Sequence, residues 1–233
     1  MASRPHRRTD GGRVGPRQPV APTFPAALQS AGIPDDDLTD SGVYLSLIFA
    51  DLDLSSRDAV SAEFDQCRFS NVNLSQTKLH RALIRDVIFD RCDLANLRAR
   101  DSSLSRAALC ASRMTGLSWI NGSFRDVTFD NCRIDLASFR SSGFKDVVFT
   151  GCRLEQADFG DADLRGARFD SCDLTGAQFH GAQLSGARFA DCCLASIGGV
   201  TSLRGAIIKS ADALALTFML ADALGIKIED SPQ

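Results

Sequence analysis

Every fifth residue from Tyr44 to Leu194 is held to one type. Of these 31 positions, 29 carry Leu, Ile, Met, Phe, Trp or Tyr, and only Ala59 and Ala99 depart. Thirteen of the fifteen Phe residues stand in this register, among them Phe49, Phe89, Phe129, Phe149, Phe169 and Phe189. A period of five fits neither an α-helix, at 3.6 residues per turn, nor an alternating strand, at two. It is the signature of a repeat architecture, in which each unit packs on its neighbours.

Two positions before each centre the residue is mostly small or short, as at Ala62, Cys67, Val72, Thr77, Ala82, Val87, Cys92 and Cys192. Large centre and small companion therefore point inward together. The other three residues of a unit are mostly Asp, Asn, Arg, Ser, Gln or Gly and face water. If four units close one coil, residues twenty apart stack. The segments Asp86-Val87-Ile88-Phe89, Asp126-Val127-Thr128-Phe129 and Asp146-Val147-Val148-Phe149 recur at forty and twenty residues, so each side of the coil keeps its own chemistry.

Units such as Ala157-Asp158-Phe159 and Ala162-Asp163-Leu164 resemble the A(D/N)LXX motif of the pentapeptide repeat family. The resemblance implies an all-β solenoid: a right-handed quadrilateral β-helix whose successive coils pair as parallel strands. With strands about 4.8 Å apart, nearly eight coils make a rod roughly 37 Å long. The weak centre Ala99 is offset by Leu97 and, one coil on, by Trp119. Arg57 occupies an inward position beside Ala59. An unpaired buried charge there costs several kcal/mol, which predicts a local opening or bulge.

The chain divides into a basic tail over 1–25, an N-terminal cover over 26–42, the β-helix over 43–197, and a C-terminal cap with an α-helix over 198–233. Arg4, Arg7, Arg8, Arg13 and Arg17 stand against Asp10 among Pro and Gly, so the tail is predicted to be disordered. No run of eighteen apolar residues exists and no signal segment follows the tail, so the expectation is a cytoplasmic protein without a membrane span. Pro34-Asp35-Asp36-Asp37-Leu38 reads as a lead-in that shields the first coil's strand edges. Past Leu194 the register slips by one residue, to Leu203 and Ile208, after Gly198-Gly199. Ser210-Ala211-Asp212 then reads as a helix start and Gly225 as its stop. Leu214, Leu216, Phe218, Met219, Leu220 and Leu224 give that helix more apolar surface than one coil end can cover. A dimerisation module follows, with Leu216, Phe218 and Leu220 at the contact.

Of eight cysteines, Cys67, Cys92, Cys132, Cys152, Cys172 and Cys192 fall in the small inward position. Sulfurs strung along an axis about 4.8 Å apart suit neither a disulfide nor a tetrahedral ion, so they read as buried free thiols. His80 and His180 share a side of the rod but lie five coils, about 24 Å, apart. No phosphate loop, GxSxG or HExxH is present. The sequence therefore predicts no enzyme, no metal and no cofactor, and leaves surface as the carrier of function.

The C-terminal half, residues 114–194, is mildly acidic, with 11 acidic and 8 basic residues. The resemblance to the topoisomerase-protecting branch of the family implies a DNA-mimicking homodimer joined through its C-terminal helix. Such a protein binds a type II topoisomerase, DNA gyrase, and gives tolerance to its poisons such as fluoroquinolones. The residues that would contact the enzyme are Asp130, Asp135, Glu155, Asp158, Asp161, Asp163, Asp170 and Asp173, because regularly spaced negative charge competes for a DNA-binding saddle. The modest net charge of −3 leaves an interaction scaffold for another protein as the rival expectation. Direct nucleic acid binding is expected only from the basic tail.

Overall fold

The structure, a computed structural model, describes residues 17–228. Each five-residue unit forms one short side and one corner. The corner residue stands two after the centre and takes left-handed backbone, as at Asp51 (φ 53°), Asn71 (φ 53°), Asn96 (φ 56°) and Gly166 (φ 75°). Asn, Asp and Gly adopt that conformation at least cost, which explains why they recur at this position, although Gln66, Arg81, Arg91, Arg106 and Ala111 take it as well. Leu136 (φ 59°) departs from the rule and is exposed, and nothing in the fold explains it.

Four corners close a right-handed square coil, and each residue pairs in parallel with the one twenty positions on. Leu83 stands opposite Ser103, Ser103 opposite Ser123, and Ser123 opposite Gly143. The strands Leu83–Asp90, Ser103–Cys110, Ser123–Asp130 and Gly143–Thr150 run unbroken around a corner and cover two sides. Three of them carry the β-branched residues Val87, Ile88, Val127, Thr128, Val147 and Val148, which suit a half-buried pleated surface. The other two sides join through single bridges such as Asp93 to Arg113.

Every centre from Tyr44 to Leu194 is buried. Their rings stack along the axis. Phe149 lies 4.5 Å from Phe129 and 4.9 Å from Phe169, nearly parallel to both. The small companions do more than fill space. Thr77 Oγ1 donates to Leu54 O at 2.8 Å, Ser142 Oγ to Trp119 O at 2.9 Å and Cys152 Sγ to Phe129 O at 3.5 Å. Each hydroxyl or thiol thus meets the carbonyl of a centre one coil earlier, which satisfies a donor that burial would otherwise strand.

Arg57 corrects its expectation. The coil neither opens nor bulges there: Lys78 N still donates to Arg57 O at 2.8 Å. The side chain leaves the interior, and its Nε donates to Asp37 Oδ1 at 2.9 Å. The lead-in thus supplies the counter-charge. Gln29–Ser30 pairs with the first coil, and Leu38 closes over its core.

The expected slip at the far end is present. Gly199 turns the chain with φ 71°, a 3-10 turn at Val200–Leu203 follows, and Ile208 stands opposite Phe189, nineteen residues on. Beyond it the expected single helix is two short ones, Ser210–Ala213 and Thr217–Ala223, with a 3-10 turn at Leu214–Leu216 between. Lys209 holds the cap position expected of Ser210, and Asp212 is occupied elsewhere, accepting Cys192 N at 3.1 Å. Among the described residues, no helix is long and apolar enough to cross a membrane.

The tail gives the largest correction. Its residues 1–16 lie outside the described residues, but 17–25 form an extended strap against the rod instead of a disordered leader.

Candidate interaction surface

Asp158, Asp161, Asp163, Asp170 and Asp173 fall within a single coil and so face different sides of the rod, forming a belt of carboxylates. Asp130, Asp135 and Glu155 stand in the two preceding coils. Much of this charge has a local partner. Arg140 bridges Asp158 at 3.1 Å and Asp161 at 3.3 Å, Arg165 meets Asp163 at 2.6 Å, Arg153 meets Glu155 at 3.3 Å, and Arg133 meets Asp135 at 3.5 Å. Asp130 accepts Asn131 Nδ2 at 3.1 Å. The exposed pairs add little stability and leave both groups charged, whereas Asp135 is largely buried. The Arg165 hydrogen bonds hold the Asp163 carboxyl below the usual range. At Asp173 burial works upward, but the hydrogen bonds from Thr175 prevail and the carboxyl is lowered.

A second set of carboxylates was not singled out from the sequence as a site. Asp86, Asp126 and Asp146 occupy one corner column, and the strap lies across them. Thr23 N donates to Asp86 Oδ1 at 3.0 Å and Val20 N to Asp126 Oδ1 at 3.0 Å. Arg17 approaches Asp126 at 3.8 Å and Asp146 at 3.7 Å. The buried Arg168 donates Nη2 to Gln18 Oε1 at 2.9 Å, and the guanidinium of Arg68 sits 4.3 Å over the Phe24 ring. From Arg168 to Arg68 is five coils, about 24 Å, which seven extended residues match at about 3.3 Å each. Arg106 stands between Asp86 and Asp126 in the column and pairs with Asp86. The signal for this docking column is in the sequence: the recurring Asp of the Asp-Val-x-Phe segments marks it.

At the C-terminal end the expected dimer residues separate. Leu216 is turned inward and plugs the end of the rod, so it is removed from the proposed contact. Phe218 and Leu220 remain exposed, beside Leu214 and Leu224.

All eight cysteines are free; six are buried, Cys110 is half-buried and Cys193 is exposed. Burial pushes the Cys92 thiol up to about 11. Among the described residues, no group of His, Cys, Asp and Glu is arranged to hold a metal ion.

The profile of the pentapeptide repeat region matches residues 62–139 and 122–197, more than half of the chain. No curated protein sequence matches. Among solved structures, the chain is similar to a trypsin-treated variant of QnrB1, a plasmid-mediated fluoroquinolone resistance protein, at 18% identity, covering 81% of this chain and 100% of that one with a TM-score of 0.38. Full-length QnrB1 matches at 20% identity over 79% of this chain and 100% of its own, with a TM-score of 0.29. HetL, a pentapeptide repeat protein involved in heterocyst differentiation regulation from the cyanobacterium Nostoc sp. strain PCC 7120, matches at 18% identity over 76% and 93%, with a TM-score of 0.22.

Proposed function

The chain belongs to the pentapeptide repeat family, and on that premise we propose that it is a non-enzymatic, DNA-mimicking binder of a type II topoisomerase, DNA gyrase, that gives tolerance to poisons such as fluoroquinolones. The observation that carries this reading is the belt of Asp158, Asp161, Asp163, Asp170 and Asp173 around one coil of an uninterrupted rod. Duplex DNA likewise presents charge around its whole girth, and a saddle of Lys and Arg responds to that field rather than to one side chain. The rod's interior is filled by stacked side chains, so chemistry has no enclosed pocket to work in. In this reading two copies join through the exposed Phe218 and Leu220, doubling the rod's length.

The test is inhibition of gyrase supercoiling by the wild type and by a variant with those five Asp residues changed to Asn. The variant keeps the shape and removes five negative charges. Inhibition by the wild type that fades in the variant and weakens with added salt is the expected result. A wild type without effect at about micromolar concentration, or a variant of equal potency, overturns the reading.

A further inference from the structure

One side of the rod departs from the rule that governs many of its cations. Arg113 Nε reaches Asp93 one coil earlier in its own column at 3.1 Å, Arg85 and Arg106 pair likewise with Asp65 and Asp86, and on this side Lys78 reaches Asp58 at 3.0 Å. Arg98 instead stacks between Lys78 and Ser118. By the same twenty-residue register, Arg100 lies between His80 and Ile120. Neither arginine has a carboxylate within ion-pair distance among the described residues, and both are exposed.

The surface is also hollowed here. The next coil contributes Gly116 and Ser118, and a Cβ at Gly116 would stand 2.5 Å from Asn96 Oδ1. With only Ser118 above Arg98, an open groove of about 610 Å³ lies over His80, Asn96, Arg98, Arg100 and Ile120. His80 Nδ1 accepts the Arg100 backbone N–H at 3.1 Å, which leaves its Nε2–H free to donate into the groove. His80 and Arg100 stand one coil, about 4.8 Å, apart, and Arg98 lies two residues, about 6.6 Å, from Arg100 along the side.

The groove is open to solvent and lined from three successive coils, so it suits a chain more than an enclosed small molecule. No aromatic side chain other than His80 lines it, so it offers no ladder on which bases stack. Its donors fit repeated negative charge on a backbone. We infer that this groove binds the phosphodiester backbone of single-stranded nucleic acid without sequence preference, through Arg98 and Arg100 with His80 beside them. This departs from the expectation that nucleic acid contact is confined to the basic tail, and it does not depend on gyrase binding.

Fluorescence anisotropy of a labelled oligothymidylate with the full chain tests it. The variant Arg98→Gln/Arg100→Gln is compared with Arg125→Gln/Lys145→Gln, which removes the same charge from another side and leaves the tail intact. Thermal melting of both variants checks that the rod is folded. The groove variant should bind about tenfold more weakly, and its slope of log affinity against log salt should fall by about 1.4, at about 0.7 per lost contact. The control should bind as the wild type does. Absence of wild-type binding, equal losses in the two variants, or displacement of the oligonucleotide by polyglutamate better than by unlabelled oligothymidylate overturns the inference. The last result would assign the groove to an acidic protein segment.

Discussion

The carboxylate of Asp86 accepts the backbone N–H of Thr23 at 3.0 Å and its hydroxyl at 3.2 Å, across 63 positions of chain. The same carboxylate pairs with Arg106, so one buried group ties the strap to the corner column. Burial alone would raise the Asp86 carboxyl, but Arg106 and Thr23 outweigh it and hold it below its ordinary value. A carboxylate depressed in the folded state contributes stability above its unfolded value and loses it as pH falls through the folded value. The Thr23 anchor of the strap should therefore be held at neutral pH and released in acid, below the usual carboxylate range. In Asp86→Asn, hydrogen-exchange protection of the Thr23 amide should fall at neutral pH, and the wild type should converge on the variant as the medium is acidified. Equal protection of the two proteins at neutral pH would remove Asp86 as the anchor.

Phe149 tests the interior stack. It is fully buried between Phe129 and Phe169, so Phe149→Ala opens a cavity in a column that cannot collapse without breaking coil pairing. The expected cost is about 3–5 kcal/mol. Phe24 lies outside the repeat and is only half-buried, but it faces Arg68. Phe24→Ala should cost about 0.5–1 kcal/mol through the lost cation–π contact. Denaturant melts of the two variants decide it, and equal shifts would contradict the assigned register.

What could be read in advance follows from period. A centre every five residues places Phe149 and Leu174 in the core without any knowledge of the coil, and the one-residue slip at Ile208 shows in the same count. Arg57 was misread because its partner, Asp37, belongs to the lead-in, which has no period from which a contact could be inferred. The strap was missed for a related reason. Val20 and Thr23 dock through backbone N–H groups, which leave no trace in side-chain pattern, so only the receiving Asp86 and Asp126 were visible. The acidic belt was legible as composition, but the bridging of Asp158 and Asp161 by Arg140 depends on stacking eighteen and twenty-one residues apart.

The C-terminal cap separates two roles that one helix was expected to combine. Leu216→Ala should loosen the end of the rod, at about 2–5 kcal/mol for a buried Leu, whatever the state of association. Phe218→Glu, at an exposed position, should leave the melting of the rod nearly unchanged and convert a dimer to a monomer. Light scattering of the two variants reads the difference. A wild type that is already monomeric, or a Phe218→Glu variant that remains dimeric, would place any contact elsewhere.

The thiol column makes its own prediction, because it contains Ser112 among the cysteines and Thr77 and Ser142 make the same inward hydrogen bond on other sides. Cys152→Ser trims the side chain slightly but keeps a donor for Phe129 O, so the buried hydroxyl stays satisfied and the cost should be small, about 1 kcal/mol. Cys152→Leu forces extra methylenes into a filled coil and should cost about 1–3 kcal/mol. Reactivity should divide the same eight residues differently. Only a thiolate attacks a disulfide reagent, and burial both blocks access and holds Cys92 protonated with a value near 11. In the native protein Cys193 should react at once, Cys110 slowly, and the six buried thiols only when the rod unfolds. Titration with an aromatic disulfide before and after denaturant measures this directly. Rapid reaction of more than two thiols in the folded protein would mean that the coils open, and that the column is not the closed interior described above.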